Sequence, residues 1–245
     1  MKAVFPILFA AAALTACSGS GDANGSAPAA APVAAVPAPA GKSWTEVVTK
    51  TEEGYRMGNP NAPIKLVEYG ARSCPTCGAF AREGFQPLTE KYVASGKVSF
   101  EFRDFLVHGA PDLALALLGT CGDPATFFPI LEQTYANQNQ FLDKLQGLTP
   151  QQQQTIQGQP PLQAITTIAD AIGAVDFVKQ RGIPEAKARQ CLSNQAKMDA
   201  VAKPTETASA AGTVTGTPTF ILNGETVPNV VRWSQLEEAL KRAGA

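Results

Sequence analysis

The spacing of apolar and polar positions changes several times along the 245-residue chain, and each change marks an element. Val4 to Leu14 is a continuous apolar stretch of signal-peptide length, too short for a standard transmembrane helix. From Ser18 to about Lys42 there is no period: Ala, Pro, Gly and Ser dominate, and such a run cannot build a core. Ile64 to Tyr69 follows Asn61-Ala62-Pro63 and reads as a central strand. From Pro75 to about Ser95, Phe80, Phe85, Leu88 and Tyr92 recur near the spacing of one helix face, and Gly96 stops the helix. Val98 to Asp104 alternates, with Phe100 and Phe102 on one side, and reads as a second strand. Strand, helix, strand in that order favours parallel pairing through a right-handed crossover.

Beyond Gly109 the character shifts to Ala, Leu and Gln, and the pattern predicts a block of helices reaching Ala211. They are expected near 112–120, 125–138, 140–145, 161–172, 175–181, 184–192 and 194–211, with Gln151 to Gln154 a solvated loop or a helix start. Strand chemistry returns in Thr219 to Leu222 and Glu225 to Pro228. Asn223-Gly224 between them is a strong hairpin signal, because both residues tolerate positive φ. A last helix is expected from Ser234, as N-cap, to Arg242, with Leu236 and Leu240 on one face.

Composition narrows the function classes. The chain is 44% hydrophobic and 17% charged with a formal net charge of -1, and no basic patch points to nucleic acid. Lys2 and the apolar stretch after it read as a targeting segment. Its end, Leu14-Thr15-Ala16-Cys17, resembles the bacterial lipobox, in which the cysteine becomes the lipid-bearing N-terminus. An ordinary signal peptide with an incidental Cys17 is the alternative. In both cases the mature chain is expected in a compartment that permits disulfides.

The chemistry centres on Cys74-Pro75-Thr76-Cys77, between the first strand and its helix. Two cysteines at this spacing close a small disulfide ring, and a helix start favours a thiolate through unpaired N–H groups and a partial positive charge. Pro75 falls in the first helical turn, where its missing N–H costs nothing. Haem attachment is excluded, because Gly78 stands where a histidine is needed. A zinc site lacks a second closely spaced pair of ligands, so no metal is expected.

The order of elements, with Glu68 six residues before Cys74, the Cys-Pro-Thr-Cys run, Arg103-Asp104-Phe105 and Gly216-Thr217-Pro218-Thr219, resembles the DsbA-like family of exported thiol:disulfide oxidoreductases. The resemblance covers roughly Lys42 to Ala245. It implies an α/β fold, a thioredoxin-like domain with an inserted all-helical domain. The expected layout is a signal peptide and lipobox over 1–17, a tether over 18–42, the thioredoxin-like domain over 43–108 and 212–245, and the helical insertion over 109–211.

By the same resemblance Cys74 is the exposed nucleophile and Cys77 its more buried partner. Pro75, Thr76, Thr217 and Pro218 shape the site and bind substrate, with Thr217-Pro218 as a cis-proline loop. Thr76 either donates to the Cys74 thiolate or faces solvent. Glu68 is either a buried proton-relaying acid or a strand-edge residue facing water. Of the four cysteines left if Cys17 is lipidated, the simplest pairing adds a Cys121–Cys191 disulfide, which recurs in some relatives of this type; two buried free thiols are the alternative. His108, the single histidine, is expected in a loop or substrate groove rather than as a base.

The function implied is that of a tethered enzyme of the periplasm that exchanges disulfides with exported proteins carrying free thiols, most directly as an oxidase. A membrane redox partner would recharge it. No cofactor, no nucleic acid and a monomeric state are expected. Thr76 replaces the histidine of the best-known oxidase pattern, and a threonine before the cis-proline also occurs in isomerase-type relatives, so isomerase or reductase is the second reading. A copper-binding thiolate module and a receptor-like scaffold with an inert disulfide are the rivals from other classes.

Overall fold

A computed structural model describes residues 30–245. The lipobox with Cys17 and the first part of the expected tether, 18–29, lie outside the described residues. A six-stranded sheet in the order β1-β2-β4-β3-β5-β6 organises the described chain. Its centre is β3 (Ile64–Gly70) paired in parallel with β4 (Val98–Asp104), in register from Ile64 opposite Val98 to Gly70 opposite Asp104. On the other side of β3, β5 (Thr219–Leu222) runs antiparallel and turns into β6 (Glu225–Val227) through Asn223 and Gly224, at φ of 52° and 90°. These four strands stand where the sequence pattern puts them.

The pattern missed β1 (Val48–Lys50) and β2 (Tyr55–Met57), a hairpin on the free edge of β4. Three residues are too few for alternation to register. Gly54 in its turn lies so close to the Phe102 carbonyl that a Cβ there would collide with it.

Helix α1 (Pro75–Pro87) continues into a π-helical stretch, Leu88–Val93, where one continuous helix was expected. Pro87 has no N–H to donate, so the regular hydrogen-bond ladder is broken there. Gly96 ends the segment at φ 74°, as anticipated.

The helical block comprises α2 (Ala110–Gly119), α3 (Phe127–Ala136), α4 (Gln138–Gln146), α5 (Pro150–Gln157), α6 (Pro161–Ala171), α7 (Ala174–Lys179), α8 (Glu185–Leu192) and α9 (Gln195–Ala210). The Gln151–Gln154 run is helical, because Thr149 and Gln152 form a capping box in front of it. The last helix, α10 (Trp233–Arg242), begins one residue before the Ser234 proposed as its cap; Arg232 is the N-cap, and Gln235 Oε1 accepts the Arg232 N–H at 3.0 Å.

Two apolar cores result, and they do not divide at residue 109. Leu115, Leu117, Leu118, Ile165, Ile168, Val175 and Leu192 pack within the helical block. Phe127, Phe128, Leu131 and Tyr135 of α3 instead join Phe80, Phe100, Phe102 and Phe220 in the core against the sheet. One helix of the insertion is thus part of the thioredoxin-like core.

The Ala/Pro-rich segment is docked rather than free over its described part. Ala30 donates to Arg242 O at 2.8 Å, Val33 to Gly244 O at 2.8 Å and Val36 to Ser95 O at 2.9 Å, while Trp44 Nε1 donates to Val36 O at 2.7 Å. The open carbonyls at the end of α10 give a segment with few side chains something to bind. The expected tether is therefore shorter than its composition implied.

Cys121, just past α2, is bonded to Cys191 of α8, with Cα atoms 6.1 Å apart and a sequence separation of 70. Loop closure of that length stabilises by up to about 4 kcal/mol. Replacing both cysteines with serine is expected to lower the unfolding free energy by up to that amount in urea titrations without reductant, while the ionisation of Cys74 stays unchanged.

Candidate active site

Alternation along β3 decides what lies beneath the dithiol. Ile64, Leu66 and Glu68 share the face turned to the core. The cross-strand neighbours of Glu68 are Phe102 and Phe220, both fully buried, and Glu68 itself is only 4% exposed. The strand-edge alternative therefore fails. Burial, then the Cys74 charge, raises its carboxyl from 4.5 to about 8. Its Oε1 has no hydrogen-bond partner among the described residues.

The chain leaves β3 at Gly70 and enters α1 with Cys74 as N-cap, at φ -75° and ψ 116°, and Pro75 in the first turn. Cys74 and Cys77 carry free thiols. Cys74 Sγ accepts the Cys77 N–H at 3.4 Å and, as a thiol, donates to Thr217 O at 3.5 Å. It is 7% exposed rather than open to solvent, and Cys77 is fully buried. The hydrogen bond from the Cys77 thiol, set against burial and aided by Thr217 and the backbone N–H groups of Cys77 and Thr76, lowers Cys74 from 9.0 to about 5. Burial and the neighbouring Cys74 push Cys77 far the other way. Pro75 and Thr76 are exposed, so the contribution of Thr76 to the thiolate is its backbone N–H and its side chain faces solvent. Thr217-Pro218 is a cis peptide, and Pro218 is buried.

Several residues that hold this loop carry no sequence signal. Arg72, fully buried, donates Nε to Asp104 Oδ1 at 2.7 Å and Nη2 to Oδ2 at 3.1 Å, and its guanidinium lies 5.2 Å from the Phe127 ring centre. Gly119 leaves the room for it. Gln138, at the start of α4, donates Nε2 to Arg72 O at 3.0 Å and to Cys74 O at 2.8 Å. Tyr135 Oη donates to Ala71 O at 3.2 Å. Asp112 of α2 accepts the Ser73 N–H at 2.8 Å. Asp104 stood in a quoted motif without a role. The others become visible only once the helical block is packed against the loop.

Cys121 and Cys191 lie in the helical block, in its own core and apart from the dithiol core. His108 stands in the loop after β4, its Nδ1 2.8 Å from Ser73 Oγ. Among the described residues no group of three or more His, Cys, Asp or Glu is arranged to hold a metal ion.

A family model described as Thioredoxin matches residues 50–242, most of the chain. The chain belongs to the thioredoxin family. A solved structure of a protein-disulfide isomerase from Novosphingobium aromaticivorans is 29% identical, with a TM-score of 0.75, and covers 80% of this chain and 100% of its own. Wolbachia pipientis alpha-DsbA1, 17% identical with a TM-score of 0.63 over 83% of this chain and 96% of its own, shares the fold. Among curated relatives, disulfide bond formation protein D of Bacillus subtilis is 21% identical over 76% of this chain and 75% of its own length. A Rickettsia prowazekii protein, provisionally named a protein-disulfide oxidoreductase, is 25% identical over 76% of this chain; the chain covers 60% of that protein's length. The thioredoxin-like fold with inserted helices, expected from the motifs, is the fold of this thioredoxin-family chain.

The shifted groups give opposite pH dependences. Between pH 5 and 9 the unfolded chain holds a proton on Cys74 that the native reduced chain has released; stability rises with pH and is lost as pH falls through 5. Glu68 acts the other way: between 4.5 and 8 the native carboxyl keeps a proton the unfolded chain has lost, so stability falls as pH rises. Urea unfolding of both redox forms is expected to show the reduced-minus-oxidised difference growing from pH 5 towards 9. In the oxidised form, where the Cys74 charge is absent, burial still raises the carboxyl, and Glu68→Gln is expected to remove the decline in stability that begins above pH 4.5.

Proposed function

We propose that the protein is an exported thiol:disulfide oxidoreductase that exchanges disulfides with exported proteins carrying free thiols, acting mainly as an oxidase. The observation that carries this reading is the asymmetry of the pair: Cys74 lowered to about 5 at a helix start, Cys77 buried and raised, and a buried acid beneath them. A low thiol pKa makes Cys74 a good leaving group and stabilises the reduced enzyme, which raises its oxidising power. The names of the relatives point the same way.

In the oxidised enzyme a substrate thiolate attacks Cys74 Sγ and forms a mixed disulfide, and the sulfur of Cys77 leaves as a thiolate. Burial makes that thiolate costly, so it takes a proton, and Glu68, half protonated near pH 8, supplies it. A second substrate thiolate attacks the substrate sulfur of the mixed disulfide and expels Cys74 as a stable thiolate. The substrate has lost two electrons to the enzyme dithiol, and a membrane redox partner removes them. Thr217, whose carbonyl lies beside Cys74 Sγ, and Pro218 border the position of the incoming chain. The apolar run directs export and is removed, lipid on the new N-terminal Cys17 holds the enzyme at a membrane facing the periplasm, and the Cys121–Cys191 bond suits an oxidising compartment.

Isomerase activity is the second reading, favoured by the name of the Novosphingobium structure. A scrambled-protein assay tests the isomerase reading, and the reduction potential of the Cys74/Cys77 couple separates oxidase from reductase: a value near -120 mV, on the order of the strongest oxidants, is expected, and one below about -270 mV overturns the oxidase reading. Cys74→Ser is expected to abolish oxidation of a dithiol peptide, and Cys77→Ser, given a peptide carrying a mixed disulfide with glutathione, to hold the peptide on Cys74 with glutathione thiolate as the leaving group, seen by mass spectrometry. Glu68→Gln is expected to slow the first exchange step by about 100-fold at pH 7 in stopped-flow measurements.

A further inference from the structure

His108 is tied to the residue next to the nucleophile from two sides. One carboxylate joins the backbones: Asp112 Oδ1 accepts the Ser73 N–H at 2.8 Å and Oδ2 accepts the His108 N–H at 2.8 Å. Asp112 is 1% exposed, so this junction is firmly seated. The ring is then fixed by Nδ1, 2.8 Å from Ser73 Oγ and 3.6 Å from Asp112 Oδ2. A carboxylate on that side favours the proton on Nδ1, which then donates to Ser73 Oγ and leaves the lone pair on Nε2. Nε2 has no hydrogen-bond partner among the described residues, the side chain is half exposed, and the adjoining Val107 is 46% exposed. A serine and an aspartate both on Nδ1 cannot form a hydrolytic triad, which needs the serine on Nε2.

We propose that His108 is a catalytic base for the substrate thiol, a role that rests on the exchange reading above and that the sequence did not assign to it. In the mixed disulfide, the second substrate thiol gives its proton to His108 Nε2. The resulting thiolate attacks the substrate sulfur bonded to Cys74. The new substrate disulfide forms, the bond to Cys74 Sγ breaks, and Cys74 leaves with the electron pair. The imidazolium, facing Asp112 from α2 and Ser73 from the loop before α1, then returns its proton to solvent. The histidine absent from the Cys-Pro-Thr-Cys run is thus supplied from the loop after β4, where it serves the substrate sulfur instead of the enzyme's.

The size of the effect is bounded by substrate ionisation. A cysteine with an ordinary pKa near 8.5 is about 3% thiolate at pH 7, so taking its proton can raise the attacking species by at most about 30-fold. His108→Gln is expected to slow resolution of the mixed disulfide with a two-cysteine peptide by about tenfold at pH 7, with the loss vanishing above pH 9. The same peptide with selenocysteine as the resolving residue, already ionised at pH 7, is expected to react equally with both proteins. The reduction potential of the couple is expected to be unchanged.

Equal rates with the cysteine peptide, an equal loss with both peptides, or a shifted potential overturns the assignment. A wild-type protein that oxidises neither peptide overturns the exchange reading itself, and this role with it.

Discussion

The site depends on satisfying a buried turn. Residues 71–74 connect the end of β3 to α1, and all four are buried. A buried backbone group left unpaired costs about 1–3 kcal/mol, so a turn in this position is held by the partners its groups find. Ala71 O takes Tyr135 Oη and the Cys74 N–H; Arg72 O takes Gln138; Ser73 N–H goes to Asp112; Cys74 O takes Gln138 and the Gly78 N–H. Three of the partners are side chains of the helical block. Those bonds hold Cys74 at the N-cap of α1, and its thiolate character follows from that position.

That arrangement gives the helical block a structural role in the chemistry. α3 contributes Phe127, Phe128 and Tyr135 to the sheet core, while α2 and α4 send Asp112 and Gln138 to the turn. The Arg72–Asp104 pair fastens the same turn to the end of β4. Its two hydrogen bonds are buried, and Gly119 of α2 leaves space for the guanidinium. A buried pair of this kind adds little net stability over an apolar substitute. Removing either partner, however, would leave a charge in the core beside the dithiol, so its effect is to restrict the turn to one arrangement.

Legibility in the sequence followed the range of the interaction. The Cys-Pro-Thr-Cys run, the Pro75 start, the Asn223-Gly224 hairpin, the β-prone run of β3 and the alternation of β4 are local, and each declared itself through spacing or residue type. Glu68 sat on the correct face by alternation, but its burial depended on Phe102 and Phe220, which are neighbours only in the sheet. Gln138, Tyr135 and Asp112 lie 39 to 66 residues along the chain from the turn groups they bind, and polar residues in helices ordinarily read as surface. The β1–β2 hairpin was too short to leave a period. The docking of Ala30 to Val36 was hidden for another reason: it is made by backbone groups, and composition reports only side chains.

The lowered Cys74 follows from the Cys77 thiol and from Thr217 more than from the side chains of the dipeptide between the cysteines. Thr76 is exposed and offers only its backbone N–H, while the stronger influences are the Cys77 thiol and the Thr217 side chain, opposed by burial. A residue between two cysteines can tune the pair through its side chain, but here the tuning is delegated to groups held by the fold. Burial works on the two sulfurs unequally: Cys74 is reached by N–H donors at the helix start, whereas Cys77 lies deeper, against Glu68 and Tyr135, with its thiolate penalised by both burial and neighbouring charge. One sulfur is stabilised as an anion and the other as a thiol. In the proposed exchange, that difference sets the direction in which the mixed disulfide forms, with substrate joined to Cys74.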